Sequence, residues 1–168
     1  MQLTGRQIVQ EGIITGYDAE NAVQQAGIDL RILKVSECEG IGVVPSEGKT
    51  ILPQYQKIDP SYAVESRIGW LLKPGYYEIT LEEGCKVPNN RAFTLVQRSS
   101  LLRCGAIIRS SQFDPGFETD HIGTFMLVTR DIFIETGARV CQTIVFETAE
   151  VKKEDLYQGQ FQRDLQRK

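Results

Sequence analysis

Short β-forming runs, each closed by a turn signal, recur between residues 28 and 147, and that rhythm restricts the chain to folds built from many short strands. Residues 76–82 show it best: Tyr77, Ile79 and Leu81 fall on one side of an extended chain, and Glu78, Thr80 and Glu82 on the other. Successive side chains of a strand point to opposite faces, so this run predicts a strand with one buried face. Similar runs occupy 28–35, 69–73, 92–97, 105–109, 124–129, 132–135 and 140–147. Between them lie Pro74-Gly75, Glu83-Gly84, Pro88-Asn89-Asn90, Asp114-Pro115-Gly116 and Thr136-Gly137, which fix φ, permit positive φ or bond their own backbone. The expected class is all-β, a sandwich, jelly roll or small barrel, with one or two short helices. One helix is expected around residues 5–11, where Thr4 and Gln7 have capping-box spacing and Gly12 offers a stop.

A chain of 168 residues can bury one core without staples, and a single domain over 1–168 is expected. Residues 36–68 mix Gly, Pro, Ser and charge without a clear period, and read as loop or irregular strand. Residues 157–168 are polar, rich in Gln and Arg, and read as a mobile C-terminal arm with Gly159 as a hinge. The net charge of −3 argues against a protein that neutralises many phosphates of a nucleic acid polymer, yet leaves a single nucleotide open as ligand. No apolar run is long enough to span a bilayer and residues 1–12 lack the apolar core of a signal peptide, so a cytoplasmic location is expected. Cys38, Cys85, Cys104 and Cys141 form no CxxC pair and are expected to be buried, reduced thiols rather than zinc ligands. His121 is the single histidine, which removes chemistry that needs a histidine pair within one subunit.

The densest polar cluster is Gln97-Arg98-Ser99-Ser100-Leu101-Leu102-Arg103. Arginine presents a rigid fork matched to phosphate oxygens and serine adds short donors, so the cluster suits a polyphosphate; Ser-Ser capping a helix, with solvated arginines, is the plainer reading. Asp114-Pro115-Gly116-Phe117 places a carboxylate beside an aromatic ring, or is simply a turn, for which Asp first and Pro second favours type I. Asp29 starts an apolar run, where the outward face of an edge strand is the alternative to a site. Arg139 and Gln142 stand among apolar residues in a strand, where polar side chains often just face solvent.

In order, these segments resemble the motifs of the dUTPase and dCTP deaminase superfamily over nearly the whole chain. Gln25-Ala26-Gly27-Ile28-Asp29-Leu30 resembles the first motif, Arg98 to Arg103 the second, and Asp114-Pro115-Gly116-Phe117 the third. Ala138-Arg139-Val140-Cys141-Gln142 resembles the fourth, and Tyr157-Gln158-Gly159-Gln160 the fifth. The resemblance implies a distorted jelly-roll or β-barrel fold, a homotrimer with sites between subunits, and Mg²⁺ carried by the substrate phosphates and water, near Asp29. It implies that Arg98, Ser99, Ser100 and Arg103 hold phosphates and that Asp114 lies near the sugar and the attacking water. Phe117 would pack on the deoxyribose, while Gln142 and the arm with Tyr157 and Gln160 would close over the nucleotide.

Both hydrolysis and deamination occur on this scaffold. The deaminases carry a glutamate in the strand beyond the third motif, and here Thr124 or Val128 stands in its place, with Glu118 and Asp120 only in the nearby turn. Archaeal-type dUTPases are most similar, so the expected reaction is hydrolysis of dUTP to dUMP and diphosphate. dCTP deamination, a bifunctional enzyme and a non-catalytic nucleotide-binding regulator are the alternatives. Phe117 where the family has Tyr or Trp, Gln97 where it commonly has Pro, and a longer 118–122 turn depart from the pattern.

Overall fold

In the computed structural model, which describes residues 1–159, the first helix forms where its capping residues sit. α1 (Gly5–Gln10) opens on a complete capping box, in which the Thr4 hydroxyl accepts from the Gln7 amide and the Gln7 side-chain oxygen accepts from the Thr4 amide at 2.9 Å. β1 (Ile14–Thr15) and β2 (Val23–Gln24) lead into the long β3 (Gly27–Glu39). β4 (Gln54–Ile58), β5 (Tyr62–Val64), β6 (Arg67–Leu72), β7 (Gly75–Leu81), β8 (Gly84–Lys86) and β9 (Arg91–Gln97) follow. A single helical turn, α2 (Ser99–Arg103), precedes β10 (Ala106–Arg109), β11 (Glu118–Thr119), β12 (Gly123–Val128), β13 (Ile132–Glu135) and β14 (Arg139–Glu147).

Six of these strands close into an antiparallel barrel in the order β3-β7-β12-β10-β9-β14, with β14 returning to β3. Closure leaves those strands no free edge. Its seam depends on β3 serving two neighbours. Asp29, Leu30 and Arg31 pair with Gln142, Cys141 and Arg139 of β14, whereas Ile32 to Glu37 pair with Leu81 to Tyr77 of β7. A bulge between Ile32 and Lys34 re-aims the strand between the two.

The change of partner takes Arg31 out of the regular ladder, and Glu83 repairs the loss. One oxygen of this fully buried carboxylate accepts the Arg31 amide at 2.8 Å and the other accepts Arg31 Nε at 2.8 Å. The hydrogen bond to Glu83 raises the Arg31 guanidinium above its ordinary pKa. On the other side of the seam the Ile28 amide donates to Thr143 Oγ1 at 2.9 Å, again a side chain standing in for a backbone acceptor.

Apolar alternation fills the barrel: Ile28, Leu30, Ile32, Ile79, Leu81, Phe93, Ile108 and Met126 are all fully buried. Glu78, expected on the solvated face of β7, is buried instead; its register partners on that face are Ser36 of β3 and Phe125 of β12. Residues 36–68, expected as loop or irregular strand, are a mixture of the two: β3 runs on to Glu39 against β4 and β5 joins β6 and β13 in a separate three-stranded sheet, while residues 40–53 carry only the isolated bridge between Val43 and Ile51. β4 and β5 are half-buried or exposed throughout, so no apolar period marks them.

The cysteines are unpaired, but they are not all buried as expected. Cys85 and Cys141 are buried and burial raises both thiols, Cys85 to about 12. Cys38 is half-buried, and Cys104 is exposed because it ends α2 on the outside of the barrel. Among the described residues no helix is long and apolar enough to cross a membrane.

Thr143→Val keeps the side chain's shape but strands the buried Ile28 amide, and is expected to cost about 1–3 kcal/mol in urea unfolding at fixed protein concentration. Thr143→Ser, which keeps the acceptor, should unfold near the wild-type midpoint.

Candidate functional site

Barrel closure sets Asp29, Gln142 and Val96 side by side on β3, β14 and β9. Asp29 does not face solvent from an edge strand: it is 2% exposed, paired within the closed sheet. Its Oδ2 lies 3.2 Å from Arg98 Nε, and its Oδ1 accepts Gln142 Nε2 at 3.2 Å. A buried carboxylate needs such partners, and in meeting that need Asp29 fixes both the guanidinium and the amide. The Arg98 backbone is pinned as well, its amide donating to the Val140 carbonyl at 2.9 Å.

Gly27 makes room for this arrangement. A Cβ there would lie 2.2 Å from the Thr143 carbonyl oxygen and 2.8 Å from Gln142 Cγ, so any larger residue would part β3 from β14 and displace the Gln142 side chain. Together with Gln24, Gln97 and Ser99, the residues Asp29, Val96, Arg98 and Gln142 line a cavity of about 220 Å³. Pockets that enclose a whole small molecule usually span roughly 300–1,000 Å³. This one has room for part of a ligand, and a charged, hydrogen-bonding lining suited to phosphate oxygens.

Ser99 and Ser100 form the first turn of α2, but neither is its N-cap. Arg98 takes that position and makes no side-chain capping bond. The two serines and Arg103 are exposed, and of the three Ser99 lines the cavity.

Asp114 belongs to a second cluster. The turn it opens is hydrogen-bonded, Phe117 N to Asp114 O at 3.0 Å, and Gly116 has φ +87°. Positive φ at the third residue makes this a type II turn rather than the type I that Asp-Pro suggests. Phe113 stacks on Phe93 with centroids 4.3 Å apart, and the two residues exchange backbone hydrogen bonds of 2.8 and 3.1 Å. Asp114 Oδ1 accepts from Gln112 Nε2 at 2.8 Å.

Phe117, expected as an open platform, is only 9% exposed. Phe113 lies against it at 5.4 Å and Tyr157 meets it edge-on at 5.4 Å and 70°. Apolar rings gain most by burying one another, and the C-terminal segment supplies the last of them. Tyr157 N donates to the Pro115 carbonyl at 2.9 Å, and Leu156 fills the space that a Cβ on Gly116 would need, 2.8 Å away. The expected arm thus begins with a residue packed on the Asp114 turn; Gln160 lies outside the described residues.

The two clusters sit toward opposite ends of β9. Phe113 is bridged to Phe93 near its start, whereas Arg98 and Ser99 follow its last residue, a separation on the order of 16 Å at 3.3 Å per residue. Of the other candidates, Arg139 bonds the Asn21 carbonyl rather than joining either cluster. Thr124 is buried and donates to the Arg109 carbonyl at 2.9 Å, and Val128 is in the core. Glu118 is in β11, opposite Lys86 of β8. No group of three or more His, Cys, Asp or Glu able to hold a metal occurs among the described residues, and Asp29 already spends one oxygen on each partner.

Sequence reasoning missed Gln112, Gln24 and Glu83. Only Gln112 left a signal, its two-residue spacing from Asp114 in an extended segment.

The chain is similar to known proteins over most of its length. A family model described as dCTP deaminase-like matches residues 2–149. The deoxyuridine 5'-triphosphate nucleotidohydrolase of Methanocaldococcus jannaschii is 38% identical over 143 residues, which span 83% of this chain and 89% of that protein. A probable deoxyuridine 5'-triphosphate nucleotidohydrolase of Aeropyrum pernix is 30% identical over 164 residues, 96% of this chain and 98% of that one. Among solved structures, the 2'-deoxycytidine 5'-triphosphate deaminase of Agrobacterium tumefaciens superposes with a TM-score of 0.62 at 17% identity, over 86% of this chain and 47% of that one. That likeness is one of fold.

Removing Arg98 leaves the buried Asp29 with Gln142 alone. Arg98→Met is expected to cost about 2 kcal/mol, the scale of a hydrogen bond to a charged group. Adding Asp29→Asn should restore part of the loss, read as a non-additive double-mutant cycle in urea unfolding.

Proposed function

This chain belongs to the dCTP deaminase-like family, and we propose that it hydrolyses dUTP to dUMP and diphosphate by attack of water at the α-phosphorus. The observation that carries the choice of reaction is the chemistry of β12. Deamination needs a group that shuttles protons at the base, and the two positions that match the deaminases' glutamate hold Thr124, whose hydroxyl is committed to the Arg109 carbonyl, and Val128, which is buried. The nucleotidohydrolase relatives support the same reading.

In this reading Arg98, Ser99, Ser100 and Arg103 bind the phosphate chain, with Arg98 held ready by Asp29. Asp114 orients a water molecule and takes its proton as the oxygen bonds to the α-phosphorus. The bond from that phosphorus to the bridging oxygen breaks, and diphosphate leaves with its charge on the arginine and serine donors. Gln142 adds an amide to the same wall, and Phe117 offers the ring edge nearest the sugar, which requires Tyr157 to give way.

Mg²⁺ would offset the charge of the triphosphate. The donors present suit a metal that arrives on the phosphates with its own water, as magnesium commonly does, with Asp29 the nearest carboxylate and Arg98 and Gln142 already upon it. The separation of Asp114 from the phosphate residues along β9 supports sites formed between chains, with Asp114 and Tyr157 from one copy facing Arg98, Ser99 and Gln142 of another. A homotrimer is the assembly proposed, working in the cytoplasm.

Purified protein incubated with Mg²⁺ and either dUTP or dCTP, with nucleotides resolved by chromatography and diphosphate assayed, is expected to yield dUMP and diphosphate from dUTP and to leave dCTP unchanged. Conversion of dCTP to dUTP would sink the hydrolase-only reading, and nucleotide binding without turnover would indicate a regulator. Asp114→Asn is expected to lower the rate by roughly 10²–10⁴-fold while triphosphate affinity stays within about threefold.

A further inference from the structure

We propose that Gln112 is a positioning residue that sets the orientation of the Asp114 carboxylate; the inference rests on the role given to Asp114 above. The backbone around Asp114 is fixed twice. The paired hydrogen bonds between Phe113 and Phe93 hold the approach, and the type II turn through Gly116 holds the exit. Neither constraint reaches the carboxylate, because the terminal torsion of an aspartate is a broad, roughly two-fold rotor. A general base must present one oxygen toward its water within hydrogen-bond reach, so that last torsion has to be set by something else.

Gln112 is placed to set it. In an extended segment alternate residues share a face. Phe113 turns inward onto Phe93 with centroids 4.3 Å apart, which leaves Gln112 and Asp114 together on the outward side. There Gln112 Nε2 donates to Asp114 Oδ1 at 2.8 Å, engaging one oxygen and leaving Oδ2 to serve as the base in the proposed reaction. An amide suits this task better than Lys or Arg would, since it orients the carboxylate without a full positive charge that would weaken it as a base. An acidic residue there would repel it.

The test is steady-state kinetics on dUTP with melting temperature alongside. Gln112→Met has similar length and no donor, and is expected to lower kcat roughly 10–100-fold, the scale of a misaimed catalytic group, with KM within about twofold and an unchanged melting temperature. Gln112→Glu, which sets an acceptor against an acceptor, should be slower still, and Gln112→Lys, which restores a donor, should recover part of the rate. In an Asp114→Asn background Gln112→Met should cause no further loss, because its effect passes through the carboxylate. Wild-type kcat in Gln112→Met, with Asp114→Asn slowed as expected, would overturn the positioning role and leave the assignment of Asp114 intact. Wild-type turnover in Asp114→Asn would overturn both. A loss in Gln112→Met that appears in KM, or that persists undiminished in the Asp114→Asn background, would also overturn the inference.

Discussion

Everything in this structure hangs on β3 changing partners. A barrel closes only if its first and last strands meet in register, and here the strand that pairs with β7 along residues 32–37 must also reach β14 through Asp29, Leu30 and Arg31. A strand cannot turn from one neighbour to another without leaving a backbone group out of the ladder, and a buried amide left unpaired costs about 1–3 kcal/mol. Glu83 meets that cost at Arg31 and Thr143 meets it at Ile28. Both are side chains taking the place of backbone acceptors along the line where β3 changes partners.

The seam that closes the barrel is also where the cavity lined by Asp29, Arg98 and Gln142 lies. Asp29 stands one residue past Ile28 and opposite Gln142, so the register that satisfies the backbone also brings a carboxylate, an amide and the Arg98 guanidinium together. Gly27 serves both purposes, since the space it leaves admits the β14 backbone and the Gln142 side chain alike. If this wall binds phosphate as proposed, its donors are already held by Asp29 before a ligand arrives, which suits preorganised electrostatics.

The strands were legible because their apolar residues alternate and their turns carry Gly and Pro. β13 matches its expected limits, and β9, β10, β12 and β14 differ from theirs only at their starts or by one residue at the ends. Register was not legible. Asp29 looks the same in sequence on an edge strand as in a closed barrel, and only the pairing with β14 separates the two. Glu83 was hidden for a related reason: Glu-Gly reads as a solvated turn, and its burial depends on an amide more than fifty residues away in sequence. β4 and β5 escaped notice because half-exposed strands have no apolar period to reveal. The site residues were visible chiefly as an ordered set of motifs. Gln112 carries no charge and belongs to none of them; its spacing from Asp114 was its single signal, and that spacing gains meaning once Phe113 is seen to turn inward.

The division of the site along β9 has a physical logic. The proposed phosphate wall rests on the barrel seam: Asp29 and Gln142 lie on it, and Arg98 is held to it through Asp29 and the Val140 carbonyl. The Asp114 turn is held by a different device, a run of rings from Phe93 through Phe113 and Phe117 to Tyr157, each within 5.4 Å of the next. That run ties the turn to the core at one end and to the C-terminal segment at the other, so movement of Tyr157 is felt at Phe117 and at the Gly116 backbone before it is felt at the phosphate wall. In the proposed function, binding and chemistry fall on separately stabilised parts of one barrel. A substitution in the ring run would disturb the orientation of Asp114 while leaving Asp29, Arg98 and Gln142 in place, and a substitution at the seam would do the reverse.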